Sequence, residues 1–122
     1  MSDVAFAVVD VETTGLSSAF GDRVCEVAIV RVQGEEQPTS FTSLVNPGRP
    51  LSPGAAAVNG ITPEMLATAP TFSDIAAEVS RQLEDCLFVA HNAPFDLGFL
   101  AAEFQRLGTP LPVTHVIDTL AL

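Results

Sequence analysis

Asp10 and Glu12 stand two residues apart at the end of an apolar run, in the stretch VVDVETTGL at residues 8–16. Side chains two apart on a strand leave the same face. Two carboxylates held that close resist ionisation unless a cation lies between them. A third acid, Asp96, sits in AHNAPFDLGFL at residues 90–100, one turn into a segment with helical apolar spacing. Carboxylate ligands without a cysteine pair or clustered histidine suit a hard ion, Mg²⁺ or Mn²⁺. Each motif alone also has a plainer reading. A D-x-E pair can be the polar end of a strand, and a first-turn aspartate can serve the helix dipole. Two such motifs, each at a junction between elements, favour a shared cation site.

Hydrophobic periodicity places the elements that must position these acids. Residues 4–12 read as a strand whose continuous apolar character suggests a central position. RVCEVAIVRV at residues 23–32 reads as a second strand, residues 34–37 as a turn, and residues 39–47 as a third strand, completing an antiparallel meander. Residues 47–63, rich in Pro, Gly and Ala, read as a loop. In residues 70–85, Phe72, Ile75, Ala76, Val79 and Leu83 recur at helical spacing behind a Thr71–Asp74 capping pattern. Residues 86–90 form a short strand, and a second helix runs from about Pro94 to Leu107. Its apolar face is Leu97, Leu100, Ala101, Phe104 and Leu107, and Gly108 stops it. VTHVIDTLAL at residues 113–122 reads as a fifth strand and the start of another helix. A meander followed by strand–helix–strand units gives an α/β fold, a mixed sheet with flanking helices. Because that last helix has barely begun at Leu122, the chain reads as part of a longer domain. One sheet face is then left largely bare and predicts self-association.

Composition narrows the possible partners. With 122 residues, 48 % of them hydrophobic, the chain supports one core. Fifteen acids against five arginines and no lysine give a net charge of −10, which excludes a basic stripe for gripping duplex DNA. A nucleic-acid partner would therefore need its phosphates neutralised by bound metal. Cys25 and Cys86 are far apart in sequence and flanked by apolar residues, as buried reduced thiols are. The N-terminus has no basic region, and Asp10 and Glu12 interrupt its apolar stretch, so it is neither signal peptide nor membrane span. A cytoplasmic protein fits these features.

DVETTGL and HNAPFD resemble, in order, the first and second motifs of the DnaQ-like DEDD exonucleases, a superfamily that includes the proofreading epsilon subunit of bacterial DNA polymerase III. VNGITPEML at residues 58–66 and VIDTLAL at residues 116–122 resemble further segments of that family, so the likeness spans nearly the whole chain. The resemblance implies a ribonuclease H-like fold and 3′→5′ hydrolysis of a DNA, or RNA, 3′ end to nucleoside 5′-monophosphates. It makes Asp10, Glu12 and Asp96 three of four acids that hold two Mg²⁺ or Mn²⁺ ions around the scissile phosphate. Thr13, Gly15, Leu16 and Phe95 would line the terminal nucleotide, and His91 and Asn92 would shape the turn that presents Asp96. Asn59 stands where many members have histidine, and Gly54 where the epsilon subunit has glutamate.

The third motif of the DEDDh branch, a histidine base with the fourth acid, is expected beyond Leu122. Residues 1–122 then read as the N-terminal two-thirds of the domain, nearly inactive alone. His115 and Asp118 have the wrong spacing to replace that motif, and His115 reads as a surface or strand-edge residue. Glu26 reads as structural, and Arg23 and Arg49 as solvated loop arginines. The implied partners are a single-stranded or frayed 3′ end and a polymerase subunit or fused nuclease domain. Two other readings stay open. A haloacid-dehalogenase-type phosphatase is opposed by Glu12 in its D-x-D-x-T motif and by the absence of lysine. A non-catalytic nuclease remnant would bind metal and a polymerase partner.

Overall fold

The computed structural model describes residues 4–121. Five strands form one mixed sheet: β1 (Ala5–Thr13), β2 (Val24–Gln33), β3 (Thr39–Leu44), β4 (Cys86–Ala90) and β5 (Val116–Asp118), in spatial order β3-β2-β1-β4-β5. The expected antiparallel meander is present, with β1 at its inner edge and at the centre of the sheet. The strands β4 and β5 then add in parallel. Both parallel crossings run through helices or long segments, as parallel pairing requires.

Four helices flank the sheet: α1 (Pro53–Asn59), α2 (Pro63–Ala67), α3 (Phe72–Leu83) and α4 (Ala93–Leu107). The first lies where the sequence reading placed a loop, and the second begins at the end of that loop, in a stretch given no element. Each starts on a side-chain cap followed by proline. Ser52 Oγ accepts from Ala55 N–H and Thr62 Oγ1 from Met65 N–H, with Pro53 and Pro63 in the first turn. The proline and glycine content that suggested a loop is partly the punctuation of two short helices. The capping box of α3 forms as expected, Thr71 and Asp74 bonding each other's backbone N–H groups.

Along β1 burial alternates. Ala5, Ala7, Val9 and Val11 are buried, whereas Val8 and Asp10 on the other face are exposed and Phe6 and Glu12 half-buried. The strand is central, but its apolar run is not enclosed on both faces. Its buried side joins Val27 and Ile29 of β2 and Phe88 of β4 beneath Phe72, Ile75, Val79 and Leu83 of α3 and Phe99, Leu100 and Phe104 of α4. The rings of Phe72 and Phe104 meet edge to face, centroids 5.5 Å apart, and pin the two helices together.

The inward face of α4 differs from the expected stripe. It is Ala93, Asp96, Phe99, Leu100, Glu103 and Phe104, while Ala101 and Leu107 are exposed. Glu103, only 1 % exposed, turns the helix from the stripe that apolarity alone suggests, because Arg23 neutralises its charge. Arg23 is therefore half-buried and ion-paired rather than solvated. The last expected helix is a single 3-10 turn at Thr119–Ala121, and Leu122 lies outside the described residues.

Candidate active site

Strand β4 pairs with β1 only from Ala5 to Val8, whereas β2 follows β1 as far as Thr13. Past Val8, one edge of β1 thus has no strand partner among the described residues. Asp96 fills the gap: its Oδ2 accepts the Val11 N–H at 3.0 Å. The side chain reaches there because α4 begins immediately after β4, through Asn92 in the left-handed region with φ 66°. That turn is held from β5, where Asp118 Oδ1 accepts both the Asn92 and the Leu120 N–H. These and other backbone hydrogen bonds keep the Asp118 carboxyl below its ordinary range. His91 joins the same fastening, its Nδ1 lying 3.0 Å from Thr119 Oγ1. His91 and Asn92 thus belong to the turn before Asp96.

Asp10 and Glu12 leave the opposite side of β1 from the core, on the same face as Val8. Glu12 lies directly across from Glu26, and the next pairing skips to Thr13 with Val24, so Cys25 forms a bulge beside Glu12. Burial, Asp10 and then Glu26 raise the Glu12 carboxyl above its usual range. Asp96 is pushed up to about 6, chiefly by burial; the Val11 hydrogen bond opposes the shift, and Asp10 and Glu12 add to it. The acids therefore share one electrostatic neighbourhood that disfavours their joint ionisation. Glu26 belongs to it as well, a member the sequence reading took as structural. Cys25, buried beside Glu12 and Glu26, has its thiol pushed up to about 12 and is chemically quiet.

The donor chemistry fits a hard divalent cation: the carboxylates are oxygen ligands whose mutual repulsion such a charge would relieve. Among the described residues, however, no group of three His, Cys, Asp or Glu side chains stands close enough to enclose an ion. The three acids are neighbours in charge, and a closed ligand set is not formed.

Beside Glu12 a cleft of about 370 Å³ opens between the β1 turn and α1. Glu12, Thr13, Gly15, Leu16, Asn59 and Phe95, all singled out from sequence, line it together, whereas His91 and Asn92 do not. Helix α1 adds Gly54, Ala55 and Val58, with Ser52 at its start. Gly54 was already noted at the position of a family glutamate, whereas Ser52, Ala55 and Val58 were missed because the segment read as loop, although Ser52-Pro53 is a recognisable helix start.

Asp22 shapes the turn and was also missed. Its carboxylate accepts from Thr14 Oγ1 at 2.9 Å and from Ser17 N–H at 3.1 Å. Gly15 serves this packing, since a Cβ there would collide with the Asp22 carboxylate. It is not among the glycines with positive φ, so the reason for a glycine here is steric and not conformational. Thr13 Oγ1 donates to Gly15 O at 2.6 Å, and Thr14 O accepts the Ser52 N–H at 2.8 Å, tying the turn to α1. Leu16 projects from it, 89 % exposed.

All five arginines lie beside partners within the chain: Arg23 and Arg106 pair with Glu103, Arg49 lies 3.7 Å from Asp22, Arg81 pairs with Glu78, and Arg31 donates to the Gln82 and Glu84 carbonyls. Both histidines are exposed, and His115 Nδ1 lies 3.0 Å from Thr114 Oγ1. No described helix is long and apolar enough to cross a membrane.

Comparison with known proteins bears on this arrangement. The RNase T exonuclease family model matches residues 7–122. A PolC-type DNA polymerase III of Bacillus cereus is 40 % identical over 122 residues, covering all of this chain and 8 % of that protein. A DNA polymerase III subunit epsilon-like protein of Rhodobacter capsulatus is 39 % identical over 124 residues, again covering the whole chain, and 18 % of its own length. The chain thus spans less than a fifth of either relative. A product-bound exonuclease I superposes with a TM-score of 0.85 at 21 % identity, covering 97 % of this chain and 30 % of that one. Exonuclease I from Methylocaldum szegediense gives 0.81 at 20 % identity, covering 97 % and 28 %. The sheet and its flanking helices are those of the ribonuclease H-like fold.

Proposed function

On the premise that this chain belongs to the RNase T exonuclease family, we propose that it is the metal-dependent core of a 3′→5′ exonuclease acting on DNA ends. The observation that carries this reading is the meeting of three features. Asp10 and Glu12 share the open face of β1, Asp96 is held against that strand by the Val11 N–H, and the cleft begins at Glu12. Asp10, Glu12 and Asp96 would hold the divalent ion, Mg²⁺ or Mn²⁺, with two ions in the complete site. When bound, it supplies positive charge at the scissile phosphate and acidifies an attacking water.

The chain's own residues do the rest. The apolar cleft takes the terminal nucleoside: Leu16, Val58 and Phe95 offer surface for the base, and the turn from Thr13 to Leu16 offers backbone groups to the sugar. Engaged arginines leave the phosphate to the cation site, and this suits a substrate held by a single end. Single-stranded or frayed DNA is favoured because an isolated 3′ end enters a cleft of this size; among the matched structures is an exonuclease I–ssDNA complex. Kinship with polymerase III proteins makes a polymerase subunit the proposed partner and the cytoplasm the proposed location. The fourth acid and the histidine base are proposed to come from sequence beyond residue 122, which would leave residues 1–122 able to bind the ion and the 3′ end but slow to hydrolyse.

The test is release of nucleoside 5′-monophosphates from single-stranded DNA in Mn²⁺, by residues 1–122 and by the natural gene product containing them. Release by the gene product that vanishes with Asp10→Ala is expected. Release indifferent to that substitution contradicts the proposal, and rapid release by residues 1–122 alone contradicts the need for a third motif.

A further inference from the structure

Arg23 and Glu103 lie 80 residues apart in sequence and meet in a two-pronged ion pair: Arg23 Nε and Nη2 donate to Glu103 Oε2 and Oε1 at 2.8 and 2.6 Å. Glu103 Oε2 also accepts the Val24 N–H at 3.1 Å. Val24 is the residue opposite Thr13, where the β1–β2 register slips past the Cys25 bulge beside Glu12. Glu103 is seven residues beyond Asp96 on α4, so both acids lie on one helical face two turns apart. The backbone of Arg23 is in turn tied to the β1 turn, its N–H donating to Thr14 Oγ1 and its carbonyl accepting the Thr14 N–H.

One carboxylate, 1 % exposed, thereby joins the helix that carries Asp96 to the bulge that aims Glu12. Buried ion pairs contribute little net stability compared with apolar side chains of similar volume. What this pair supplies is geometry: it fixes where α4 sits along and across β1. We infer that Arg23 and Glu103 are positioning residues which set the separation of Asp96 from Asp10 and Glu12. The inference rests on the proposed cation site but can be read without it.

The experiment compares the full chain with Arg23→Lys, which keeps the charge but not the fork, and with Arg23→Met combined with Glu103→Leu. Three quantities are measured: Mn²⁺ affinity by calorimetry, urea unfolding, and hydrogen exchange at the Val11 amide relative to the core amide of Ile29. The double variant is expected to stay folded with a midpoint somewhat below wild type, because apolar side chains replace the ion pair but the buried Val24 N–H loses its acceptor. Both variants are expected to bind Mn²⁺ about tenfold more weakly and to exchange the Val11 proton faster. Unchanged affinity and unchanged Val11 protection in either folded variant overturn the inference and leave the pair a packing element. If the wild-type chain binds no Mn²⁺, the cation site is refuted, and Val11 exchange alone decides the positioning role in the same directions. Should the double variant not fold, Arg23→Lys decides by the same readings.

Discussion

The two faces of β1 are built from one run of nine residues and do opposite work. On one face Ala5, Ala7, Val9 and Val11 disappear under α3 and α4 and join the core. On the other, Val8 remains 44 % exposed, with Asp10 and Glu12 beside it and Val30 opposite Val8 on β2, 40 % exposed. The strand's alternation explains how acids can live in an apolar run: they do not interrupt the core, because they never face it. One face joins the core and the other carries the proposed cation site, and Asp96 links them, since its helix packs on the core face while its carboxylate reaches the strand edge.

The comparison can be broken by mutation. Glu12→Gln on the acid face should lower nucleotide release by the natural gene product on the order of a thousandfold. The unfolding midpoint should hold, because no core contact is lost; a large drop in stability would show that the faces are not separable. Phe104→Ala on the core face should do the reverse. Removing a ring that is 1 % exposed and packed against Phe72 should cost about 3–5 kcal/mol in urea unfolding.

Asp96 tests the link through pH. Its carboxyl binds a proton more tightly when folded, at about 6, than in the unfolded chain near 3.8. Its contribution to stability is therefore fully present below about pH 4 and is lost as pH rises through about 6. Asp96→Asn should remove that decline and, without divalent ion, stabilise the chain at pH 7 by up to about 2 kcal/mol. An unaltered pH profile would show that Asp96 is not under this strain. The smallest effect belongs to the open apolar patch. Val8→Thr with Val30→Thr should change stability by no more than about 0.5 kcal/mol. It should also weaken the concentration-dependent self-association expected of the wild-type chain in analytical ultracentrifugation; a wild-type chain that sediments as a clean monomer contradicts that expectation.

What was legible in sequence followed from local periodicity. Strands and long helices announced themselves because alternation and helical spacing are local, and the Asp10–Glu12 and Asp96 motifs because their residues are close neighbours in the chain. The same locality explains what was missed. Glu103 was not singled out, and Arg23 read as solvated, since the two are 80 positions apart and only the fold unites them. The role of Asp22 depends on Thr14 and Gly15 turning back onto it, so the space that Gly15 provides for a carboxylate could not be read from its neighbours in the chain. Helices α1 and α2 were hidden by the prolines that start them. A closed cation site is a different matter: the spacing suggested three converging ligands, whereas the folded chain holds three repelling acids in one neighbourhood without closing them around a point.

Whether a cation converges those acids is tested most directly by paramagnetic broadening of backbone amide signals during a Mn²⁺ titration of the full chain. Selective loss of the amides of residues 10–13 and of Asp96 at substoichiometric Mn²⁺, abolished by Asp10→Asn, is the result predicted for a site on the open face of β1. Diffuse broadening that affects surface acids such as Glu35, Glu36, Glu84 and Asp85 equally, and survives Asp10→Asn, would contradict it.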